Sequence, residues 1–161
     1  IQAFTKFLGH PVISASAVLT AILVFSGLGS SFQGKIHLPA ITRIKMGGFI
    51  ISGLILLYLM LLDPLLANFT GCSAFLRYLI TVSVIFPVSF FLGWMFPAGF
   101  QMLERRDDPL VPWAWGINGF ASVTAAPLAV IIAMGAGLNA VMLFAVICYL
   151  TAAGTAWLWK T

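Results

Sequence analysis

Side chains that could bind a metal ion or act as a nucleophile are few in this chain and far apart. It has two histidines, His10 and His37, and two cysteines, Cys72 and Cys148. Cys72 falls in a predicted loop and Cys148 deep in an apolar segment, so neither a disulfide nor the ligand spacing of a metal site fits them. The histidines lie at opposite ends of the first long apolar segment and cannot share a metal. The sequence therefore predicts no catalytic residue and no metal site.

Two polar features remain. Asn118 lies about two turns inside an apolar segment, where an amide needs a hydrogen-bond partner, so we expect it to contact a facing helix. Residues 104–108 form a mixed-charge run, Glu-Arg-Arg-Asp-Asp, in which neighbouring charges partly neutralise each other. This pattern is typical of a solvated connector or of a docking edge for a soluble domain.

The elements that position these residues are apolar helices. The 51 residues 109–159 contain no Asp, Glu, Lys, Arg or His, and a membrane-crossing helix needs about 20 apolar residues, so this stretch predicts two spans. The whole chain is 61% hydrophobic and 7% charged, whereas soluble domains carry about 25% charged residues. The net charge of +4 is spread along the chain, without the basic stripe that nucleic-acid binding requires. The sequence predicts an all-α, polytopic integral membrane helix bundle that binds membrane lipids and no nucleic acid.

Stretches without charged residues, together with helix start and stop signals, predict five spans within a single transmembrane domain, 1–161. The spans are 11–28, 44–62, 74–96, 112–134 and 138–159, and a short amphipathic segment, 99–106, is predicted along the membrane interface. Pro87 and Pro127 each remove a backbone hydrogen bond in mid-span and are predicted to kink the third and fourth spans. No cofactor is expected, although the chain could hold a bound lipid.

Basic residues near the span ends predict the orientation. Six of them fall on one side and two, Lys6 and Arg77, on the other. The six are Lys35, Arg43, Lys45, Arg105, Arg106 and Lys160. Cytoplasmic loops carry the excess of Lys and Arg, so the first group and the carboxyl terminus are predicted in the cytoplasm. This leaves the amino terminus outside, and we therefore expect one more span upstream of Ile1.

Small residues predict how the helices pack. In lipid, helices associate through close packing and polar contacts, and small side chains let two backbones approach. The fourth span carries such a stripe at every fourth position, and the fifth carries another. The predicted packing residues are Ala121, Ala125, Ala129, Ala133 and Gly137, with Cys148, Ala152 and Ala156 on the fifth span. Tryptophans at span ends are predicted as interfacial anchors: Trp113, Trp115, Trp157 and Trp159.

Four segments together resemble a known family. They are 4–11 (FTKFLGHP), 25–30 (FSGLGS), 93–100 (GWMFPAGF) and 111–119 (VPWAWGING). In this order they resemble the carboxy-terminal membrane region of large bacterial proteins that fuse transmembrane helices to a spermidine synthase-like domain. Phe100 stands where that family usually has Leu. The resemblance implies a multi-pass protein of the bacterial inner membrane, with a further helix before Ile1.

The resemblance also implies a cytoplasmic nucleotide-fold domain, which would bind an S-adenosylmethionine-type substrate and carry aminopropyl-transfer residues. Residues 1–161 contain none of that domain, so no catalytic residue is carried over. This chain is expected not to be an enzyme, although its full-length parent would be aminopropyltransferase-like.

Three hypotheses follow. The first is a non-catalytic membrane module that anchors or scaffolds a covalently linked cytoplasmic domain. The second is an accessory subunit of a larger membrane complex, respiratory or photosynthetic, whose small-residue stripes face other membrane subunits. The third, a half-transporter, is weaker, because ion-coupled transporters usually carry a charged residue in mid-membrane and none is predicted here.

Overall fold

The described part of the protein is almost entirely helical. The computed structural model describes residues 2–104 and 110–158, in which six helices and no strand are present. They are α1 (Gln2–Leu8), α2 (Pro11–Gln33), α3 (Ala40–Asn68), α4 (Ala74–Glu104), α5 (Val111–Ala136) and α6 (Leu138–Leu158). Five of them, α2 to α6, are long and apolar enough to cross a membrane. The predicted all-α membrane bundle with five spans is confirmed.

Two glycines with positive φ separate neighbouring helices. Gly9 (φ 76°) follows α1, and Gly137 (φ 85°) is the single residue between α5 and α6. Glycine adopts this left-handed conformation without the steric cost that a Cβ imposes. Gly137 therefore forms the turn of the α5–α6 hairpin and is not the last member of a helix-packing stripe, as the sequence had suggested.

One helix was not predicted, and several helix boundaries differ from the predicted ones. The short helix α1 was not predicted, α3 continues past the expected stop at Pro64, and α4 continues past Pro97. Tertiary contacts compensate for the hydrogen bond that each proline removes: Leu66, just after Pro64, is buried in a core, and Gln101, just after Pro97, accepts a hydrogen bond from α3.

The predicted interfacial segment 99–106 is accordingly not a separate helix over residues 99–104, which form the end of α4. Residues 105 and 106 lie outside the described part of the chain. Pro87 and Pro127 both lie inside helices that continue past them, and the kink expected at each stays a prediction.

The single transmembrane domain stays a prediction. The helices group into two compact units. The first unit contains the residues up to His37 together with Leu57–Trp94, and the second contains Leu38–Leu56 and the residues from Met95 onward. The core of the first unit is built by four helices, which contribute Phe4 and Phe7 from α1, Val18 and Ala21 from α2, Leu66 from α3 and Ile85 from α4. In the second unit α5 contacts α6, but none of its residues is fully buried.

Candidate functional site

Helices α2 and α4 of the first unit cross with their backbones in close approach. A Cβ built on Gly29 would lie 2.0 Å from the backbone oxygen of Phe90, and one built on Gly93 would lie 2.0 Å from that of Ser26. Each helix thus supplies one glycine and, three residues earlier, the carbonyl that the other glycine faces. Only glycine leaves room for two backbones at this distance. The crossing fixes α2 and α4 against each other at two points.

Aromatic rings surround this crossing. Phe25 meets Phe86 edge to face with ring centroids 4.9 Å apart, and Trp94 packs edge to face on Phe91 at 5.1 Å. Trp94 is only 6% exposed, and its indole nitrogen is buried with no hydrogen-bond partner among the described residues. Sequence reasoning did not single out Trp94. Its place near the end of the predicted span 74–96 gave no signal of burial, because an interfacial tryptophan would lie there too.

Polar side chains of the first unit bond to backbone carbonyl groups. An Nη1–H of Arg77 donates to the backbone oxygen of Phe7 at 3.1 Å, at the carboxyl end of α1, where carbonyl groups lack helical partners. The Ser14 hydroxyl lies 3.2 Å from the backbone oxygen of Phe4 and 2.8 Å from that of His10. The Tyr58 hydroxyl donates to the backbone oxygen of Val84. These contacts hold α1 on the bundle and connect α3 to α4.

A buried arginine connects α3 and α4 in the second unit. Arg43 was counted from the sequence as one of the cytoplasmic basic residues, but its side chain is only 5% exposed. Its Nη2 donates to Oε1 of Gln101 at 2.8 Å. A buried guanidinium group needs such acceptors to offset its loss of hydration. Nothing in the sequence signals this pair, because 58 positions separate its members.

Helices α3 and α6 meet at Gly48 and Ala153, and Ala153 was not among the predicted packing residues. A Cβ on Gly48 would lie 2.8 Å from that of Ala153 and 2.9 Å from the backbone oxygen of Tyr149. Ala153 is only 1% exposed. Of the predicted α6 packing residues, Ala156 is buried, Ala152 is half-buried and Cys148 is exposed. The buried face of α6 is therefore rotated away from Cys148, toward α3.

The predicted stripe on α5 contacts its surroundings over half of its length. Ala129 and Ala133, near the hairpin turn, are half-buried, whereas Ala121 and Ala125 are exposed. That Ala121 and Ala125 pack against another helix stays a prediction. Ala121 lines a cavity that lies between this half of α5 and the end of α6.

We name this cavity the α5 groove. It has a volume of about 650 Å³ and is lined by residues of α3, α4, α5 and α6, among them Phe96, Phe100, Asn118, Ala121, Ala152 and Thr155. All lining residues belong to the second unit. Two of their side chains are polar, those of Asn118 and Thr155, and the Thr155 hydroxyl already donates to the backbone oxygen of Ala152 at 3.0 Å.

Asn118 differs from its predicted role. We expected its amide to bond to a facing helix, but the side chain is exposed to the α5 groove. Its amide makes no hydrogen bond to any of the described residues. The groove explains this difference, because it separates Asn118 from the helices on the opposite wall. Asn118 is therefore a polar group that faces an apolar cavity.

The tryptophans at the start of α5 have the exposure expected of interfacial anchors. Trp113 is 69% exposed and Trp115 is 54% exposed. The Trp115 ring also meets Phe96 and Phe100 edge to face, with centroids 5.1 and 5.2 Å apart. The side chain of Trp157 and the whole of Trp159 lie outside the described residues. That these rings sit at a membrane interface stays a prediction.

Metal-ligating side chains are scattered in the part of the chain that the structure describes. No group of three or more His, Cys, Asp or Glu there is placed to hold a metal ion. Cys72 and Cys148 are free thiols. One polar feature with open space in front of it is the α5 groove with Asn118.

Comparisons with known proteins leave the chain without a family assignment. No protein-family model, no curated protein and no solved structure matches it. The resemblance to the spermidine synthase-like fusion proteins thus rests on the four sequence segments alone. It stays a prediction.

Proposed function

We propose that this chain is a non-catalytic membrane module that anchors or scaffolds a domain whose chemistry takes place elsewhere. The observation that carries the proposal is the double contact of α2 and α4 at Gly29 and Gly93. Helices whose backbones touch at two points cannot slide or rotate without first separating, since packed interfaces are not continuously deformable. A rigid pair suits a scaffold better than it suits a moving part.

The hydrogen bonds of the polar side chains support the same conclusion. Arg77 and Ser14 bond to backbone carbonyls of α1, and Arg43 bonds to Gln101. In transporters and pumps, by contrast, ionisable groups in the membrane form pathways for ions or protons. Here the charged groups with described contacts connect one helix to another. This favours a structural module over a half-transporter.

The partner that we propose for the scaffold is a covalently linked, spermidine synthase-like domain on the cytoplasmic side of a bacterial inner membrane. The resemblance supports this choice, and two of its four segments, 25–30 and 93–100, contain or border the α2–α4 crossing. The carboxyl terminus of residues 1–161 would then lie in the cytoplasm, as the distribution of basic residues predicts.

Removal of residues 1–161 from the native polypeptide tests this function. We expect the remaining domain to move from the membrane fraction to the soluble fraction and to keep its reaction. A matched deletion that removes α1 alone should leave the protein in the membrane, because all five candidate spans remain. If the remaining domain loses its reaction while it stays folded, the module takes part in chemistry and the proposal is overturned.

An accessory subunit of a larger membrane complex is the second candidate. The observation in its favour is α5, which buries none of its residues within the chain and exposes Ala121 and Ala125. Small residues on an open helix face are typical of helix–helix contacts in membranes. Stoichiometric co-purification with other membrane subunits, without a linked soluble domain, would favour this candidate.

A further inference from the structure

We infer that the α5 groove is a binding site for one membrane phospholipid, with an acyl chain in the groove and the Asn118 amide bonded to a glycerol ester. This inference goes beyond the scaffold function and depends only on immersion of the helices in lipid. It assigns a role to the polar side chain that the fold leaves facing a cavity.

The volume of the groove suits an acyl chain. An α-helix with its side chains is about 10–12 Å across and rises about 5.4 Å per turn, so one turn occupies roughly 400–600 Å³. The groove, at about 650 Å³, would hold about one turn, whereas a membrane-crossing helix has more than five. A slim hydrocarbon chain can fill this space, whereas a neighbouring helix would only lay side chains into it.

The lining suits a flexible apolar chain. Met95 and Met102 contribute side chains with several rotatable bonds and a polarisable sulfur, which adapt to irregular shapes. Phe96 and Phe100 contribute broad apolar faces, and Ala121 and Ala152 leave the space open. The volume falls within the range of small-molecule sites, about 300–1,000 Å³. The groove is therefore an adaptable apolar slot with Asn118 at one wall.

The position of Asn118 matches the depth of the lipid esters. Trp113 and Trp115 are exposed at the start of α5, as tryptophans at the headgroup level are. Asn118 is three residues beyond Trp115, which places it about 4.5 Å further along the helix. The ester groups of a phospholipid lie at this boundary between headgroups and hydrocarbon. Ester oxygens only accept hydrogen bonds, and an asparagine amide offers two donors.

The charges near the groove suit a phosphate group. Ile44 lines the groove, and its neighbours in the sequence are both basic, Arg43 and Lys45. Gln101, which accepts the hydrogen bond from Arg43, lies between two lining residues, Phe100 and Met102. Arg43 is buried and bonded to Gln101, so it would favour a negative headgroup through its charge and not by direct contact. A phospholipid therefore fits the site better than an uncharged lipid does.

Lipid retention by the purified protein tests the inference. The native protein is extracted with mild detergent, washed, and analysed for bound phospholipid by native mass spectrometry and phosphate content. We expect about one retained phospholipid per chain in the wild type. Asn118→Leu, which keeps the size and removes the donors, should weaken retention roughly five- to tenfold, the change expected from the loss of a hydrogen bond. Ala121→Phe, which fills the groove, should abolish it.

The matched control is Asn139→Leu. Asn139 is also an exposed asparagine in an apolar helix, but it does not line the groove, so this variant should retain lipid as the wild type does. Equal retention in Asn118→Leu and the wild type would overturn the inference, as would equal loss in Asn139→Leu. A bound mass other than a phospholipid would also overturn it. Loss of lipid without release from the membrane would leave the scaffold function intact, so the two proposals fail separately.

Discussion

Gly29 faces the backbone carbonyl of Phe90 so closely that a methyl group on Gly29 would lie 2.0 Å from the carbonyl oxygen. The same distance separates a methyl group on Gly93 from the carbonyl of Ser26. The obstructing atoms belong to the backbone, so no side chain can rotate away to make room. The α2–α4 pair therefore depends on the absence of two side chains.

Substitution of either glycine by alanine should destabilise the protein. We expect Gly29→Ala and Gly93→Ala each to cost about 3 kcal/mol or more, since the two helices must separate to admit the methyl group. Each variant is heated in detergent, and size-exclusion chromatography then measures how much folded protein remains. The temperature at which half is lost compares the variants with the wild type.

Gly27→Ala is the control for that pair, because nothing lies within 4 Å of a Cβ built on Gly27 in the same helix. There we expect no loss, and a gain of up to about 1 kcal/mol from the higher helix propensity of alanine. A Gly29→Ala variant as stable as Gly27→Ala would contradict the crossing.

The contact of Gly48 with Ala153 leads to a second, independent prediction about stability. Gly48→Ala should destabilise the second unit by about 1–3 kcal/mol, because its methyl group meets both Ala153 and the backbone of Tyr149. Ala153→Gly added to it should restore part of the stability by removing one of the two obstructions. Gly53→Ala, on the same helix with open space around it, serves as the control. Thermal unfolding of these three variants and of Ala153→Gly alone decides whether the two positions are coupled, and strictly additive effects would argue against the contact.

Arg77 should control the docking of α1. Its hydrogen bond to the Phe7 carbonyl is the kind that contributes about 1.5–3 kcal/mol, since the donor is charged. In Arg77→Gln we expect α1 to open more often and trypsin to cleave after the exposed Lys6 at least about tenfold faster. Arg43→Gln, in the second unit, should leave cleavage at Lys6 unchanged. Equal protection of Lys6 in Arg77→Gln and the wild type would show that α1 is held by its apolar side chains alone.

The Arg43–Gln101 pair can be tested from its acceptor side. Gln101→Leu removes the acceptor of a buried guanidinium group and should lower stability by about 1.5–3 kcal/mol. Gln101→Glu keeps an acceptor at this position and should be close to the wild type. Melting temperatures in the same detergent compare the two variants. If Gln101→Leu melts together with Gln101→Glu, the hydrogen bond has no net stabilising effect.

The sequence predicts the spans well and their partners poorly, for a physical reason. Immersion in lipid imposes a length and an apolar composition on each span, and both can be read locally, as between Pro109 and Trp159. The α5–α6 hairpin could also be predicted, because Gly137 breaks a single uncharged stretch. In contrast, α1 has only seven residues and no span-length signal.

The candidate site depends on contacts that no local pattern encodes. Small residues mark where a helix can approach another, but most spans have several such faces, and Ala153 was buried where Cys148 was expected. The pairing of Arg43 with Gln101 arises only when α3 meets α4. The α5 groove arises only when four helices come together. Asn118 was recognised as important from its polarity. Its position in front of a cavity could not be predicted from the sequence.

The intact mass and composition of the native protein in mild detergent test the scaffold function most directly. We predict a polypeptide several times larger than the 17.3 kDa of these residues, with a nucleotide-fold domain held at the membrane through this chain. A native protein that purifies with neither a linked domain nor a stoichiometric partner would contradict the account, because nothing would remain for the module to support.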